Sequence, residues 1–334
     1  MMNTSPLFIK NLCIGYPGLN NHVLFDNLNL SLYNGQLVCF MGPNGIGKST
    51  LIRTLAGAQK PLSGEIKGIG NKNVSVVLTE RVNAGMMTAR ELVSFGRYPY
   101  LGWSVRMTEA DHSKIDEAVQ QVRIHNLLDK SIHELSDGQM QMVMIARALA
   151  QDTPVLLLDE PTAHLDLNNR VEIMNLLRRL AKENKKAILV STHELDLALQ
   201  TADLVWLATS QKSIRVGIPE DLVLDGTFDE VFRFKGFDLK TGRVKQEPFR
   251  HTGIQLIGDG HAYLWTKNAL ERNGFHIDPR STITIKIKPT TEELTTWTGF
   301  SNGEKTYLSI AELLSALISI IPNAQSLKSV TEIK

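Results

Sequence analysis

The chain has 334 residues, 43% of them apolar and 21% charged, which excludes a disordered or low-complexity protein and predicts one large fold with a smaller companion. Thirty-six basic side chains against thirty-five acidic ones leave a net charge of +1, so there is no electrostatic footprint for nucleic acid. Cys13 and Cys39 lie in strand-like stretches and read as small buried hydrophobes, with a reducing compartment as the default.

No basic stretch followed by an apolar one opens the sequence, so no export signal is expected. The most apolar run, Leu308 to Ile321, is broken by Glu312 and stopped by Pro322, short of a membrane span. Residues from Leu7 alternate apolar and polar through Leu28-Asn29-Leu30-Ser31-Leu32, then run apolar through Leu37-Val38-Cys39-Phe40-Met41. That pattern predicts antiparallel strands leading into a buried one. Lys48 to Ala56 reads as a helix, Val74 to Leu78 as a strand, and Thr88 to Ala150 as mostly helical. Val155 to Leu158 and Ala187 to Val190 read as buried parallel strands. Around Lys240 to Phe249 a Thr-Gly, a charge cluster and a Glu-Pro read as a linker. Beyond it, Gly253 to Ile257, Ala262 to Asn273, Thr282 to Lys288 and Ser309 to Ile320 predict strand, helix, strand and helix, with Trp265, Leu270 and Phe275 as core residues. The fold class is α/β, with a helical insertion and a small second α/β unit.

Gly42-Pro43-Asn44-Gly45-Ile46-Gly47-Lys48-Ser49-Thr50 matches the phosphate-loop pattern G-x-x-x-x-G-K-S, with a strand before it and a helix after. Backbone N–H groups and the helix N-terminus cradle phosphates, Lys48 reaches the β- and γ-phosphates, and Ser49 supplies an oxygen for Mg²⁺. Val155-Leu156-Leu157-Leu158 delivers Asp159 and Glu160 to the C-terminal end of a strand, where ligands of open α/β sheets collect. Asp159 suits Mg²⁺, and Glu160 suits deprotonation of a water attacking the γ-phosphate. Leu135-Ser136-Asp137-Gly138-Gln139 opens a helix, and its S-x-x-Q spacing is also that of an ordinary capping box.

Together these motifs resemble the ATPase subunit of an ATP-binding cassette (ABC) transporter, over about Leu7 to Arg233. The resemblance implies a phosphate-loop NTPase core with an antiparallel β subdomain and a helical subdomain at about residues 85–150. It places a nucleotide-binding domain at 1–245 and an accessory α/β domain at 246–334. It makes the pentapeptide Leu135 to Gln139 the signature motif, which closes over ATP held by a second copy of the chain, with Ser136, Gly138 and Gln139 as its nucleotide-binding positions. Asp166, in Ala163-His164-Leu165-Asp166, falls at the D-loop acid, His193 at the switch histidine that contacts the γ-phosphate, and Tyr16 at the aromatic that stacks on adenine. Each of the three also has a bland reading, as a solvated loop acid, a structural histidine and a packed turn aromatic. Two positions depart from the pattern. The family's Q-loop glutamine is replaced by Thr79-Glu80, where Glu80 offers an oxygen ligand, and Asp137 stands where glycine is commonest and is expected to face away from the nucleotide.

In such transporters the segment Thr88 to Trp103 lines the groove for the permease's coupling helix, and Tyr98, Tyr100 and Trp103 are composed like exposed interface anchors. Glu91-Leu92-Val93 and Gly96-Arg97-Tyr98-Pro99 resemble the version found in importers of iron-siderophore complexes, haem and cobalamin. The resemblance implies an ATP hydrolase using ATP and Mg²⁺, peripheral on the cytoplasmic face of the membrane. Its partners are permease subunits, a second copy of itself and, indirectly, a substrate-binding protein. A soluble ABC ATPase acting on chromosomes or ribosomes is the alternative, disfavoured because the chain has no coiled-coil insertion and only one cassette; an importer ATPase for another cargo is also open, as is a ligand-regulated binding module with little turnover.

Overall fold

The structure is a computed structural model that describes residues 6–19, 21–70, 72–79, 86–102, 106–240, 242–244, 248–289, 295–300 and 304–320. The chain divides into two compact units, Met1–Arg233 and Phe234–Lys334.

In the first unit, β1 (Leu7–Tyr16), β2 (His22–Leu32) and β4 (Ser63–Lys67) form an antiparallel sheet in the order β2-β1-β4. A six-stranded sheet runs β5-β6-β7-β3-β8-β9, from β3 (Leu37–Met41), β5 (Val74–Val77), β6 (Val155–Asp159), β7 (Ala187–Ser191), β8 (Leu204–Ala208) and β9 (Ile214–Gly217). Its strands are parallel except β9. The central strands β3, β6 and β7 are buried at every position, which is why they read as unbroken apolar runs. One apolar core joins the two sheets through α1 (Lys48–Leu55), with Ile9, Ile14 and Phe25 meeting Phe40, Leu51, Leu157 and Trp206. Cys39 and Cys13 are buried free thiols, as expected, and burial pushes the Cys39 thiol up to about 12.

Between β5 and β6 the chain inserts α2 (Ala89–Ser94), a 3-10 segment at Phe95–Tyr100, α3 (Glu109–Val122) and α4 (Asp137–Ala150). After β6 come α5 (Leu167–Asn184), α6 (Leu195–Thr201), α7 (Pro219–Leu224) and α8 (Thr227–Phe232). Capping boxes start α2 at Thr88, α3 at Thr108 and α4 at Ser136, so each helix start is set by side-chain oxygens accepting otherwise unpaired amides. Among the described residues no helix is long and apolar enough to cross a membrane.

The second unit holds a short hairpin of β10 (Phe237–Asp238), which precedes the stretch that reads as a linker, and β11 (Arg243–Val244), which falls inside it. Its five-stranded sheet runs β13-β12-β14-β15-β16, from β12 (Gly253–Ile257), β13 (His276–Ile277), β14 (Thr284–Pro289), β15 (Thr295–Phe300) and β16 (Glu304–Tyr307). The expected strand-helix-strand-helix is present as β12, α9 (Gly260–Arg272), β14 and α10 (Ile310–Ile320), with β13, β15 and β16 added. Leu270 and Phe275 join Ile254, Leu256, Ile285, Leu313 and Leu317 in the core. Trp265 does not: it is 64% exposed, because α9 turns Thr266, Ala269 and Leu270 inward and residue 265 falls off that face.

Asp111 is the most strongly perturbed acid on α3. The Thr108 backbone N–H, then the Thr108 hydroxyl and Arg97, hold its carboxyl down at about 2, against an ordinary 3.8. A carboxyl lowered on folding contributes stability that is complete above the unfolded value and lost as pH falls through the folded one. The stability of the chain, read from denaturant melts, is therefore expected to fall between about pH 4 and about pH 2 more steeply than that of Asp111→Asn. Parallel slopes for the two proteins would remove Asp111 from the acid response.

Candidate functional site

The phosphate loop turns at the C-terminal end of β3 and runs into α1. Gly47, the residue before α1, has φ 110° and its Cα faces Leu24 and Phe25 so closely that a Cβ would lie 3.1 Å from Leu24 Cδ1. Only glycine meets both demands. Lys48 is buried and donates from Nζ to the Gly42 carbonyl at 2.9 Å and the Pro43 carbonyl at 3.2 Å, so the loop's own backbone holds the ammonium. Burial lowers its pKa, against which the charges of Glu160 and Asp159 act.

Strands β6 and β7 lie in parallel register with Asp159 opposite Ser191. The Ser191 hydroxyl donates to Asp159 Oδ1 at 2.6 Å and accepts from the Glu160 N–H at 3.0 Å. The Thr79 hydroxyl donates to the Asp159 carbonyl at 2.9 Å. Glu160 has φ 49°, a left-handed conformation that a non-glycine residue keeps only when its surroundings impose it, and one that clusters at functional sites. Its Oε1 lies 2.6 Å from His193 Nε2.

Of these groups Lys48, Glu160 and His193 border a cleft of about 540 Å³, lined by Tyr16, Asn44, Gly45, Gly47, Lys48, Ser49, Thr50, Glu160 and His193, with His22 and Leu24 of β2, while Thr79 and Asp159 line an adjoining pocket that shares Glu160. Gly42 and Pro43 support it from behind by accepting from Lys48. Tyr16 is 51% exposed, its hydroxyl 3.1 Å from Thr50 Oγ1 and its ring nearly parallel to His22, with centroids 6.5 Å apart. A half-exposed ring lining this cleft is available for stacking on a planar ligand. His22 and Leu24 are not evident in the sequence; the signal that could have found them is that alternate β2 residues face the same side as the loop.

Asp159 is buried beside the cleft, 2% exposed. The Ser49 hydroxyl and Asp159 carboxylate are hard oxygen donors, the chemistry that Mg²⁺ requires, so the residues fit that ion. Glu80 lies outside the described residues, as does Trp103.

The signature residues do not line the cleft. Ser136 accepts from Gln139 N–H and Gln139 Oε1 accepts from Ser136 N–H, each at 3.3 Å, so the capping box forms. Gly138 is buried against Asn169, whose side chain a Cβ would meet at 2.8 Å. Asp137 is exposed and does not line that cleft, but it borders an adjoining pocket together with Thr79, Asp159 and Glu160, so its carboxylate is not turned away from the paired acids as expected. Asp166 caps α5, accepting from the backbone and side-chain N–H groups of Asn169 at 2.9 and 2.8 Å.

The family model "ABC transporter" matches residues 25–163, and "Iron ABC transporter C-terminal domain" matches residues 250–318. An uncharacterized ABC transporter ATP-binding protein of Methanocaldococcus jannaschii is 40% identical over 71% of this chain and 88% of that protein. An achromobactin transport ATP-binding protein of Dickeya dadantii is 34% identical over 73% of this chain and 92% of that protein. Among solved structures, a metal-chelate type ABC transporter in an inward-facing conformation superposes with a TM-score of 0.63 at 26% identity, covering 69% of this chain and 90% of that one.

Lys48→Ala removes the ammonium aimed along the loop, and charge-assisted hydrogen bonds of this kind contribute about 1.5–3 kcal/mol. The dissociation constant for ATP, measured by calorimetry, is expected to rise at least about tenfold. An unchanged constant would take Lys48 out of nucleotide binding.

Proposed function

Because the chain belongs to the family of ABC transporter ATP-binding proteins, we propose that it is the ATPase subunit of an importer for an iron-siderophore complex or a related metal-chelate cofactor such as haem or cobalamin. As a member of this family it is an ATP hydrolase. The observation that carries the reading is the single cleft in which phosphate-loop backbone, Lys48, Glu160 and His193 converge. Iron as the cargo class is supported by the match of residues 250–318 to an iron transporter domain, and by the achromobactin transport protein among the relatives.

In this mechanism the loop amides and Lys48 bind the β- and γ-phosphates, while Tyr16 stacks on adenine. Ser49 and Asp159 would hold Mg²⁺, which when bound would supply charge neutralisation on the phosphate oxygens. Glu160 accepts the proton of the attacking water. His193, 2.6 Å from Glu160 Oε1, orients the carboxylate and contacts the γ-phosphate. Ser136, Gly138 and Gln139 do not line their own chain's cleft, which fits a role across a head-to-tail pair: each signature helix start closes over ATP held by the other copy, with Asp166 at the D-loop between. The dimer works beneath permease subunits on the cytoplasmic face of the membrane, fed by a substrate-binding protein. Residues 246–334 form an accessory domain that regulates turnover or stabilises the dimer.

Glu160→Gln keeps the shape and loses the base. Phosphate release is expected to fall by about 10² or more, with ATP affinity retained and an ATP-dependent dimer trapped in gel filtration. Near-normal turnover in that variant would refute the assignment. Cargo is read by reconstituting the chain with its co-purifying membrane subunits and comparing uptake of iron-siderophore, haem and cobalamin. Ribosome association sensitive to RNase, with no membrane partner, would favour the soluble alternative.

A further inference from the structure

The Gly96-Arg97 pair has no part in the cleft, yet the structure spends a buried charge on it. Arg97 donates from Nε to Asp111 Oδ1 on α3 at 2.9 Å and from Nη1 to the carbonyl of Ala150, the last residue of α4, at 2.9 Å. Both side chains of the ion pair are 9% exposed. The guanidinium carbon lies 4.0 Å from the centre of the Tyr100 ring. That stacking is why Tyr100 is half-buried rather than the exposed anchor that the sequence pattern predicts, whereas Tyr98 is exposed. Gly96 lets the segment lie directly on α4: a Cβ there would be 2.2 Å from the Arg147 carbonyl and 2.9 Å from Ala150 Cβ.

On either side of Arg97 are Phe95 and Tyr98, rings 4.7 Å apart, which with Met86, Met87, Arg90, Glu91 and Met107 line an open groove. One end of α4 is thus bolted to the groove wall, and the other end carries Ser136 and Gly138. The helix has 14 residues, roughly 21 Å at 1.5 Å per residue, and is stiff over that length. Its C-terminal end is also anchored to the parallel sheet, by Arg147 Nη2 to the Val76 carbonyl at 3.0 Å and Gln151 Nε2 to the Val74 carbonyl at 3.2 Å.

We propose that Arg97 is the positioning residue that couples occupancy of the groove to the position of the signature end of α4, a role resting on the reading of the groove as the permease's site and of the signature as an ATP contact. An apolar side chain would fill the space at less desolvation cost, but it would not fix direction toward two acceptors at once. Lysine cannot make both hydrogen bonds and the ring stack. Coupling between two sites is reciprocal, so ATP binding must be felt at the groove without any permease present.

The test uses the full chain carrying Glu160→Gln, with MgATP, read by hydrogen–deuterium exchange over residues 86–102. ATP is expected to change exchange there in the Arg97 protein. In Arg97→Lys that change should drop at least about fivefold, while ATP affinity and ATP-dependent dimerisation stay within about twofold. Asp111→Asn, which keeps the bond from Arg97 to Ala150, should show a smaller loss, and it carries the test if the lysine variant fails to melt cooperatively. An equal ATP response with and without Arg97, or no response in the parent despite dimerisation, overturns the coupling role. So does an exchange increase across α4 that is the same with and without ATP, the mark of a merely structural residue. Failure of the parent to bind ATP or dimerise at all would sink the functional reading itself, and this inference with it.

Discussion

The pairing of β6 with β7 is the constraint on which the catalytic end of the molecule depends. The register that sets Asp159 against Ser191 lets one hydroxyl bond the Asp159 carboxylate and the Glu160 N–H together, so the two acids are held by the sheet rather than by a loop. Because β7 also pairs with β3, the phosphate loop rises from the next strand but one. Glu160 and His193 then meet without either having to search for the other. A left-handed backbone at Glu160 costs of the order of 1–3 kcal/mol, and it is tolerated because the Glu160 N–H is also in hydrogen-bond range of the Ser191 carbonyl at 3.1 Å.

Much of this is legible in the sequence because the chemistry admits few substitutes. Gly47 is required by φ and by Leu24, Lys48 by the phosphates that the loop is proposed to bind, and the apolar runs of β3 and β6 by burial on both faces. Such constraints leave their mark within a few residues of one another. Contacts across the sheet leave none: nothing local to His22, Leu24 or Ser191 points to Lys48 or Glu160, since strand order β6-β7-β3 is not sequence order. The same limit explains Tyr100 and Trp265. Both are aromatics in helical stretches, and which is covered depends on a partner, Arg97 over Tyr100, and on a helix phase offset by one residue at Trp265.

The second unit shows how pattern reading thins out when strands are short. β12, β14 and both helices carry apolar periodicity toward one core, so they are visible. β13 is two residues long and pairs in parallel with β12, too brief for any alternation to register. A five-stranded sheet with α9 and α10 contributing to the same core is a complete small fold, which is the physical reason it forms a compact unit of its own.

The capping box at Ser136 bears on how a structural motif and a functional one share the same residues. The first four N–H groups of any α-helix lack intrahelical partners, and a cap satisfies one or two of them. At α4 the Ser136 hydroxyl takes the Gln139 amide, and Gly138, with no side chain of its own, lets the Asn169 side chain pack directly against the opening turn. The cap therefore fixes where the helix begins and which way its positive end faces, without consuming the whole end. A helix start held this firmly is what the proposed anion-closing role requires: the same hydrogen bonds that make the residues look like an ordinary cap would give a phosphate held by a second copy a rigid target.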